Sequence, residues 1–290
     1  MHLIDGPVYI FRAYHSLPAM SAPDGTPTNA AYGFVNTLLK YLAETNATHA
    51  AVAFDFSDQS FRNAIEPGYK AQRGAPPADL APQFDLCMEL ARALGLEVYA
   101  EPDFEADDLI ATLAERLLAQ RANAVVVTTD KDLAQLVRED GRIVVYDLGR
   151  DERRDADAVR ARFGVDPDQI PDYLGLVGDA VDNLPGVPGV GPKSAAAALR
   201  RFGRIEAIPA DASAWSDAGV RGAASVAARI QAHRERALLT RSLATLRRDV
   251  PGIASELPGL VWRGADRAAI EPLFARLGWG KIATRIPRWA

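Results

Sequence analysis

Five short apolar runs, separated by helical patterns and mostly followed at once by an acidic residue, constrain this chain more than any other feature. His2–Ile4, His49–Phe54, Leu96–Tyr99, Ala124–Thr129 and Arg142–Leu148 are bounded by charged or turn residues and are mostly rich in Val and Ile, the pattern of strands buried on both faces. Between them, Pro7–Leu17, Ala30–Ala43, Asp85–Leu94 and Asp107–Leu118 carry apolar residues at helical spacing, with Leu109, Ile110, Leu113 and Leu117 on one face of the last. Alternation of this kind predicts an α/β fold, a mainly parallel central sheet flanked by helices with right-handed crossovers. From Ser57 to Pro82 the pattern weakens, interrupted by Gly68, Gly74, Pro76, Pro77 and Pro82, and a mobile insertion outside the core is expected there. Beyond Gly149 the strands stop. Helices are expected near Ala156–Phe163, Gln169–Val177, Lys193–Phe202, Ala223–Leu239 and Arg267–Leu277, with a loop over Pro209–Gly219. The expected organisation is an α/β core over 1–154, carrying the insertion at about 57–82, and a helical part over 155–290.

A chain of 290 residues with 48% hydrophobic residues can bury a substantial core. Cys87, the one cysteine, excludes an internal disulfide, and no apolar run is long enough to span a membrane, so a soluble, reducing, cytoplasmic setting is expected. The net charge of −5 hides an asymmetry. Residues 1–189 hold 16 Lys and Arg against 30 Asp and Glu, whereas residues 190–290 hold 17 against 8. That separation fits a cation-rich acidic centre beside a surface that meets phosphates; the alternative is a solvated acidic surface.

The acids fall where ligands bind. Asp5, Asp55 and the pair Asp130 and Asp132 follow the first, second and fourth strands, and Glu105, Asp107 and Asp108 open the helix after the third. Carboxyl ends of parallel strands share one edge, so these seven acids should converge. Any one of them has an ordinary explanation as a helix cap or turn former. Repetition argues otherwise, because Asp179 and Asp182 add a fifth segment, their spacing of three placing both on one side of a helical turn. Converging carboxylates repel unless cations neutralise them, and an all-oxygen set without a His/Cys cluster favours Mg²⁺ or Mn²⁺ over Zn²⁺. Two such ions about 4 Å apart can activate a water, neutralise a scissile phosphate and stabilise the leaving oxygen.

Two further features accompany the acids. The run from Leu184 to Ser194 contains Gly186, Gly189, Gly191 and Lys193 between helical patterns, which fits a backbone phosphate cradle that holds a duplex without reading its sequence; alone, it is equally a turn. The insertion holds Arg62, Tyr69, Lys70 and Arg73. Lys70 and Arg73, three apart, would share a helical face and grip a phosphate, while Tyr69 would stack on a base; the alternative is a solvated basic loop.

Taken in order, Asp5-Gly6, Val52-Ala53-Phe54-Asp55, Phe61-Arg62, Tyr69-Lys70-Ala71-Gln72-Arg73, Glu105-Ala106-Asp107-Asp108, Thr129-Asp130-Lys131-Asp132 and the block from Gly178 to Lys193 resemble the 5′-nuclease superfamily. The resemblance is particularly to the 5′-to-3′ exonuclease domain at the N-terminus of bacterial DNA polymerase I, and it spans at least residues 2–203. It implies a PIN-like core, with Asp5, Asp55, Glu105, Asp107, Asp108 and Asp130 in one metal cluster and Asp132, Asp179 and Asp182 serving a second. It also implies a helical arch bearing Tyr69, Lys70 and Arg73, through which a 5′ single strand passes. Gly186–Lys193 would form a helix-hairpin-helix-like element holding duplex DNA, often with K⁺ among its carbonyls, and Arg12 and Tyr14 would face substrate near the first cluster. The implied reaction is hydrolysis of phosphodiester bonds at DNA 5′ flaps and 5′ ends, without a covalent nucleophile, by a bacterial monomer serving replication and repair. Since no polymerase domain follows within the 290 residues, a stand-alone flap nuclease is expected, although a segment of a longer polymerase would carry the same sequence. Two rivals are a non-catalytic junction-binding protein, against which the intact acid set speaks, and an RNA-directed nuclease of related fold, against which the arch residues and the Gly186–Lys193 turn favour DNA while leaving RNA primers in an RNA–DNA duplex open.

Overall fold

The computed structural model describes residues 1–215, 220 and 222–290. The first half alternates as expected: β1 (His2–Asp5), α1 (Gly6–Ser16), α2 (Asn29–Thr45), β2 (Ala50–Ala53), α3 (Phe61–Ile65), α4 (Ala81–Ala93), β3 (Glu97–Tyr99), α5 (Ala106–Ala119), β4 (Ala124–Val127) and β5 (Ile143–Asp147). Strand order is β3-β2-β1-β4-β5, all parallel, with Ile4 level with Val52 on one side and Val127 on the other. The chain runs outward from β1 to β3, then crosses back to β4 on β1's free side. The order therefore reverses between β1 and β4, and a crevice opens at their carboxyl ends.

Successive strand residues face opposite layers. Leu3, Ala51, Val126 and Val145 pack beneath α5 in one core, and Ile4, Val52 and Val127 pack against α1, α2 and α4 in the other. Leu109, Ile110 and Leu113 of α5 are fully buried, each such side chain contributing about 1.5–3 kcal/mol relative to exposure.

After Gly149 the expectation of helix only is corrected. β6 (Glu152–Arg154) pairs antiparallel with β5 at the sheet edge, where the Arg154 guanidinium reaches Asp147 at 2.8 Å. Next come α6 (Ala156–Phe163), α7 (Ile170–Val177), β7 (Gly178–Asp179), β8 (Leu184–Pro185), α8 (Pro192–Phe202), α9 (Ala223–Ala232), α10 (Arg234–Ala244) and α11 (Arg267–Leu277). Asp179 and Asp182 therefore sit on a small β7–β8 hairpin, not on a helical turn. The single helix expected over Ala223–Leu239 breaks at His233, where ψ of 17° turns α10 onto α7. Within the expected loop Pro209–Gly219, residues 212–215 form a 3₁₀ turn, and 216–219 lie outside the described residues. The helical part divides between both layers: residues from α7 to α10 join the α5 core, whereas Ile270, Phe274 and Leu277 of α11 join the core of α1, α2 and α4.

The insertion is less loose than its composition implied. It contains the five-residue helix α3 and a series of turns, and Arg62, Tyr69 and Leu80 are buried. Lys70 and Arg73 do not share a helical face: Lys70 has a left-handed backbone with φ of 53°. The segment is clamped to the β7–β8 hairpin by Lys70 N–H donating to the Asp182 carbonyl at 3.0 Å, Asn183 Nδ2 donating to the Gly68 carbonyl at 2.6 Å, and Gln72 Nε2 donating to the Val181 carbonyl at 2.8 Å.

No described helix is long and apolar enough to cross a membrane.

Candidate active site

Asp5, the last residue of β1, is buried at the point where strand order reverses. One carboxylate oxygen accepts the Val8 N–H at 3.4 Å as a long helix cap, and the other accepts the Thr128 hydroxyl at 2.6 Å. Thr128 Oγ1 in turn accepts the Asp130 N–H at 2.9 Å, and Asp130 Oδ1 accepts the Asp132 N–H at 2.8 Å. One hydroxyl thus aligns the acids leaving β1 and β4. Asp55, open to solvent after β2, accepts the Ala106 N–H at 2.8 Å. With Glu105 at its N-cap, α5 directs its positive end at this group of anions.

Crowding shows in the protonation equilibria. Burial first, then the charges of Asp130 and Asp55, push Asp5 up to about 7, against the Thr128 hydrogen bond. Loss of water, Asp130 and Asp5 raise Asp107 well above the ordinary carboxylate range. Burial and Asp130 do the same to Asp132, with Asp179 and Asp182 adding to it. Asp5, Asp55 and Asp107 thus share a neighbourhood with Asp130, which also bonds and charges the adjacent Asp132. Asp132, Asp179 and Asp182 form a second, each offering an oxygen within 4.8 Å of the others.

Basic groups face both. Lys70 Nζ donates to Glu105 Oε2 at 2.7 Å and lies 3.9 Å from Asp182, while Arg73 donates to Asp182 Oδ1 at 2.6 Å. Burial opposes the lowering of Glu105, but Lys70 and Arg62 hold its carboxyl below the usual value. Lys131, unassigned on sequence grounds, donates to Asp179 Oδ2 at 2.5 Å. Burial works against its charge, yet Asp132 and Asp179 leave its ammonium more firmly protonated than usual. Thr128 and Lys131 both lie inside or beside the Thr129–Asp132 motif, which drew attention only to its acids.

Four assignments made from sequence are corrected. Asp108 is fully buried, its two oxygens taken by the Arg62 guanidinium at 2.7 and 2.8 Å and by the N–H groups of Arg247 and Glu105, so both are already committed within the protein. Arg62, 1% exposed, also donates to the Leu243 carbonyl at 2.7 Å and has no surface to offer DNA. Tyr69 is buried with its hydroxyl shared between Glu105 and Asp182, both at 3.1 Å, so its ring supports the acids instead of stacking on a base. Gly186 faces inward: a Cβ there would lie 2.3 Å from the Val177 carbonyl carbon, so its lack of a side chain serves hairpin packing.

The rest of the glycine-rich turn is open only toward α8: Val187 and Val190 are buried, and the Arg229 side chain lies over Gly189, where a Cβ would stand 1.7 Å from its Nη1. Gly189 has φ of +74°, Gly191 has free space where a Cβ would stand, and Gly191, Pro192 and Lys193 are exposed at the start of α8. Arg12 is exposed and lies over Gly149 beyond β5, and Tyr14 donates to Asp79 Oδ1 at 2.9 Å, tying α1 to the insertion. Neither contacts the carboxylates of the first neighbourhood.

A doubly wound parallel sheet whose switch point gathers carboxylates from five segments, with basic side chains set against them, places this molecule among the carboxylate-centred nucleases of PIN-like architecture. Family models agree: the N-terminal resolvase-like domain of 5′-3′ exonuclease matches residues 1–164, and its C-terminal SAM fold matches residues 165–268. The chain belongs to the 5′-3′ exonuclease family. It is 38% identical over 208 residues to a 5′-3′ exonuclease of Aquifex aeolicus, covering 72% of this chain and 71% of that protein. It is also 38% identical over 279 residues to DNA polymerase I of Bacillus caldotenax, covering 96% of this chain and 31% of the polymerase, so it spans about a third of such relatives. Among solved structures, T5 5′-exonuclease with bound zinc shares the fold at TM-score 0.67 and 21% identity, covering 84% of this chain and 88% of that one. The catalytic core of Rad2 in complex with DNA does so at 0.61 and 15%, covering 96% and 88%.

Proposed function

We propose that this chain is a divalent-cation-dependent 5′-nuclease that hydrolyses phosphodiester bonds at DNA 5′ flaps and 5′ ends, leaving a 5′-phosphate and a 3′-hydroxyl. The convergence of Asp5, Asp55, Glu105, Asp107, Asp130, Asp132, Asp179 and Asp182 at the strand-order reversal carries the reading. The donors fit hard cations: all are carboxylate oxygens, and Asp132 Oδ1 is buried with no hydrogen-bond partner among the described residues. Asp5, Asp55, Asp107 and Asp130 would hold one ion and Asp132, Asp179 and Asp182 the other, with Glu105 between the groups. Asp108 is left out of the set because Arg62 occupies its carboxylate. Mg²⁺ is the cation we expect, with Mn²⁺ as a substitute; when bound, the ions supply an activated water and neutralise charge on the phosphate.

The chain's own groups position the substrate. Lys70 and Arg73 leave their carboxylate partners for the scissile phosphate, where their charge counts most as negative charge develops. The exposed start of α8, with Lys193, contacts a duplex phosphate, which sets position without sequence readout. K⁺ among the carbonyls of this turn, implied by resemblance, is part of the reading, and the Arg229 guanidinium donates to one of those carbonyls, that of Gly189, at 3.2 Å. The active form is a monomer, and RNA primers paired to DNA are among its substrates.

The test is cleavage of labelled flap, nicked, blunt and RNA-primed duplexes with Mg²⁺, with and without chelator. Asp132→Asn should remove nearly all hydrolysis while leaving DNA binding measurable. Wild-type turnover in that variant would sink the two-cation assignment, and DNA binding without any chelator-sensitive cleavage would leave a junction-binding protein.

A further inference from the structure

Lys131 lies between two of the acids, Asp130 and Asp132, yet its side chain reaches across to a third. Its ammonium donates to Asp179 Oδ2 at 2.5 Å and stands 3.6 Å from Asp132 Oδ1. The other Asp179 oxygen accepts the Val181 N–H at 3.0 Å, so Lys131 is the partner of the oxygen left over. Among the described residues, Asp132 Oδ1 has no hydrogen-bond partner, and this ammonium is the cation that stands within 4 Å of it. Asp179 and Asp132 are among the most buried acids of the site, and together with Asp182 they bring three carboxyl groups to within 4.8 Å of one another. Arg73, at 2.6 Å, and Lys70, at 3.9 Å, serve Asp182. Carboxylates this close and this dry hold together only if a positive charge lies among them. The structure supplies one on a flexible four-carbon tether, a compact ammonium that donates without the fixed fork of a guanidinium.

We propose that Lys131 is a tethered stand-in for the second divalent cation, holding Asp132 and Asp179 together until that cation displaces its ammonium. This rests on the reading that Asp132, Asp179 and Asp182 bind a cation. It adds a residue that sets the affinity and the empty-state geometry of that site without being a ligand. Two opposed consequences follow. Removing the ammonium should weaken the cation-free protein, because the carboxylates lose their partner. The same change should strengthen cation binding, because there is no longer a competitor to displace. A structural ion pair whose ammonium stands away from the cation's position produces only the first effect.

The experiment uses the full chain without DNA and titrates Mn²⁺ by calorimetry and by the paramagnetic resonance of free Mn²⁺. Asp132→Asn identifies which binding step belongs to this cluster. Lys131→Met, which keeps the stem and removes the charge, should melt below wild type in chelator, bind Mn²⁺ at this step tighter by on the order of tenfold, and gain more melting temperature from saturating Mn²⁺ than wild type does. Lys131→Arg, whose planar fork grips carboxylates harder, should bind Mn²⁺ more weakly than wild type and covers the case in which the methionine variant does not fold. Unchanged or weaker Mn²⁺ binding by Lys131→Met, or unchanged or tighter binding by Lys131→Arg, overturns the inference. A wild-type protein with no Mn²⁺ step sensitive to Asp132→Asn overturns the underlying cation reading instead.

Discussion

Arg62→Met should destabilise the protein severely, and the reason is independent of DNA. The guanidinium is 1% exposed and makes a two-pronged pair with Asp108, which is fully buried. It also bonds the carbonyl of Leu243, joining the insertion and α5 to the end of α10 across 181 residues of chain. Truncation leaves the Asp108 carboxylate with two N–H donors and no counter-charge, and removing one partner of a buried pair costs about 3–5 kcal/mol. At roughly 2–4 °C per kcal/mol for chains of this size class, the melting temperature should fall by on the order of 10 °C. The assay is thermal and urea unfolding in chelator, so that cation binding does not mask the loss. Replacing both partners, Arg62→Met with Asp108→Leu, should recover much of the stability, because an apolar pair avoids the desolvation of two charges. Below its transition, Arg62→Met should keep the wild-type salt dependence of DNA binding. A variant that melts like wild type but binds DNA more weakly, with a shallower salt slope, would refute this account and restore Arg62 as a phosphate contact.

Lys193→Ala should weaken duplex binding equally across sequences and reduce the salt slope by about one, measured by fluorescence anisotropy at several salt concentrations; an altered sequence preference would contradict it. Asp5 is raised from 3.8 to about 7, so the stability it contributes is present below pH 3.8 and lost as pH rises through 7, and Asp107 and Asp132 shift in the same direction. In chelator the melting temperature should therefore fall from pH 5 to pH 8 and Mg²⁺ should restore more of it at pH 8; a flat or rising profile without metal would refute this. A 5′-biotin flap blocked with streptavidin before enzyme addition should resist cleavage, whereas one blocked after threading in chelator should be cut once Mg²⁺ arrives; equal rates for blocked and free flaps would exclude threading. Lys70→Ala should slow single-turnover cleavage far more than it weakens substrate binding, and a loss confined to binding would contradict its place at the reacting phosphate.

Strands buried in a parallel sheet are written as uninterrupted apolar runs, and for that reason all of β1 to β5 could be located in advance. β6 could not, since Glu152-Arg153-Arg154 contains no apolar residue, and Arg154, level with Val145, is buried where its guanidinium pairs with Asp147. The acids after β1, β2 and β4 followed from topology alone. A spacing of three at Asp179 and Asp182 fits a helical turn and a tight hairpin equally, and Gly178, with φ of +82°, was the residue that favoured the hairpin. Arg62, Tyr69 and Asp108 were misjudged for a shared reason. Each is polar, in or facing a stretch broken by Gly and Pro, and its burial depends on partners distant in sequence, Asp108 lying 46 residues from Arg62. Local composition reports exposure well only where the partner is water.

The ties between the insertion and the acids differ enough in strength to say which would yield to a substrate. Arg73 holds Asp182 through a side chain 48% exposed, and an ion pair that open is worth about 0–1 kcal/mol. Lys70 is 20% exposed, bonded by its ammonium to Glu105 and by its backbone N–H to the Asp182 carbonyl, in a left-handed conformation that only surrounding contacts can maintain. A strand arriving over the carboxylates would therefore displace Arg73 at little cost while Lys70 kept its backbone anchor and merely redirected its ammonium. The proposed roles follow from that difference. Arg73 is placed to respond to the substrate's approach and Lys70 to mark where its phosphate must lie, with the β7–β8 hairpin connecting both to Asp182.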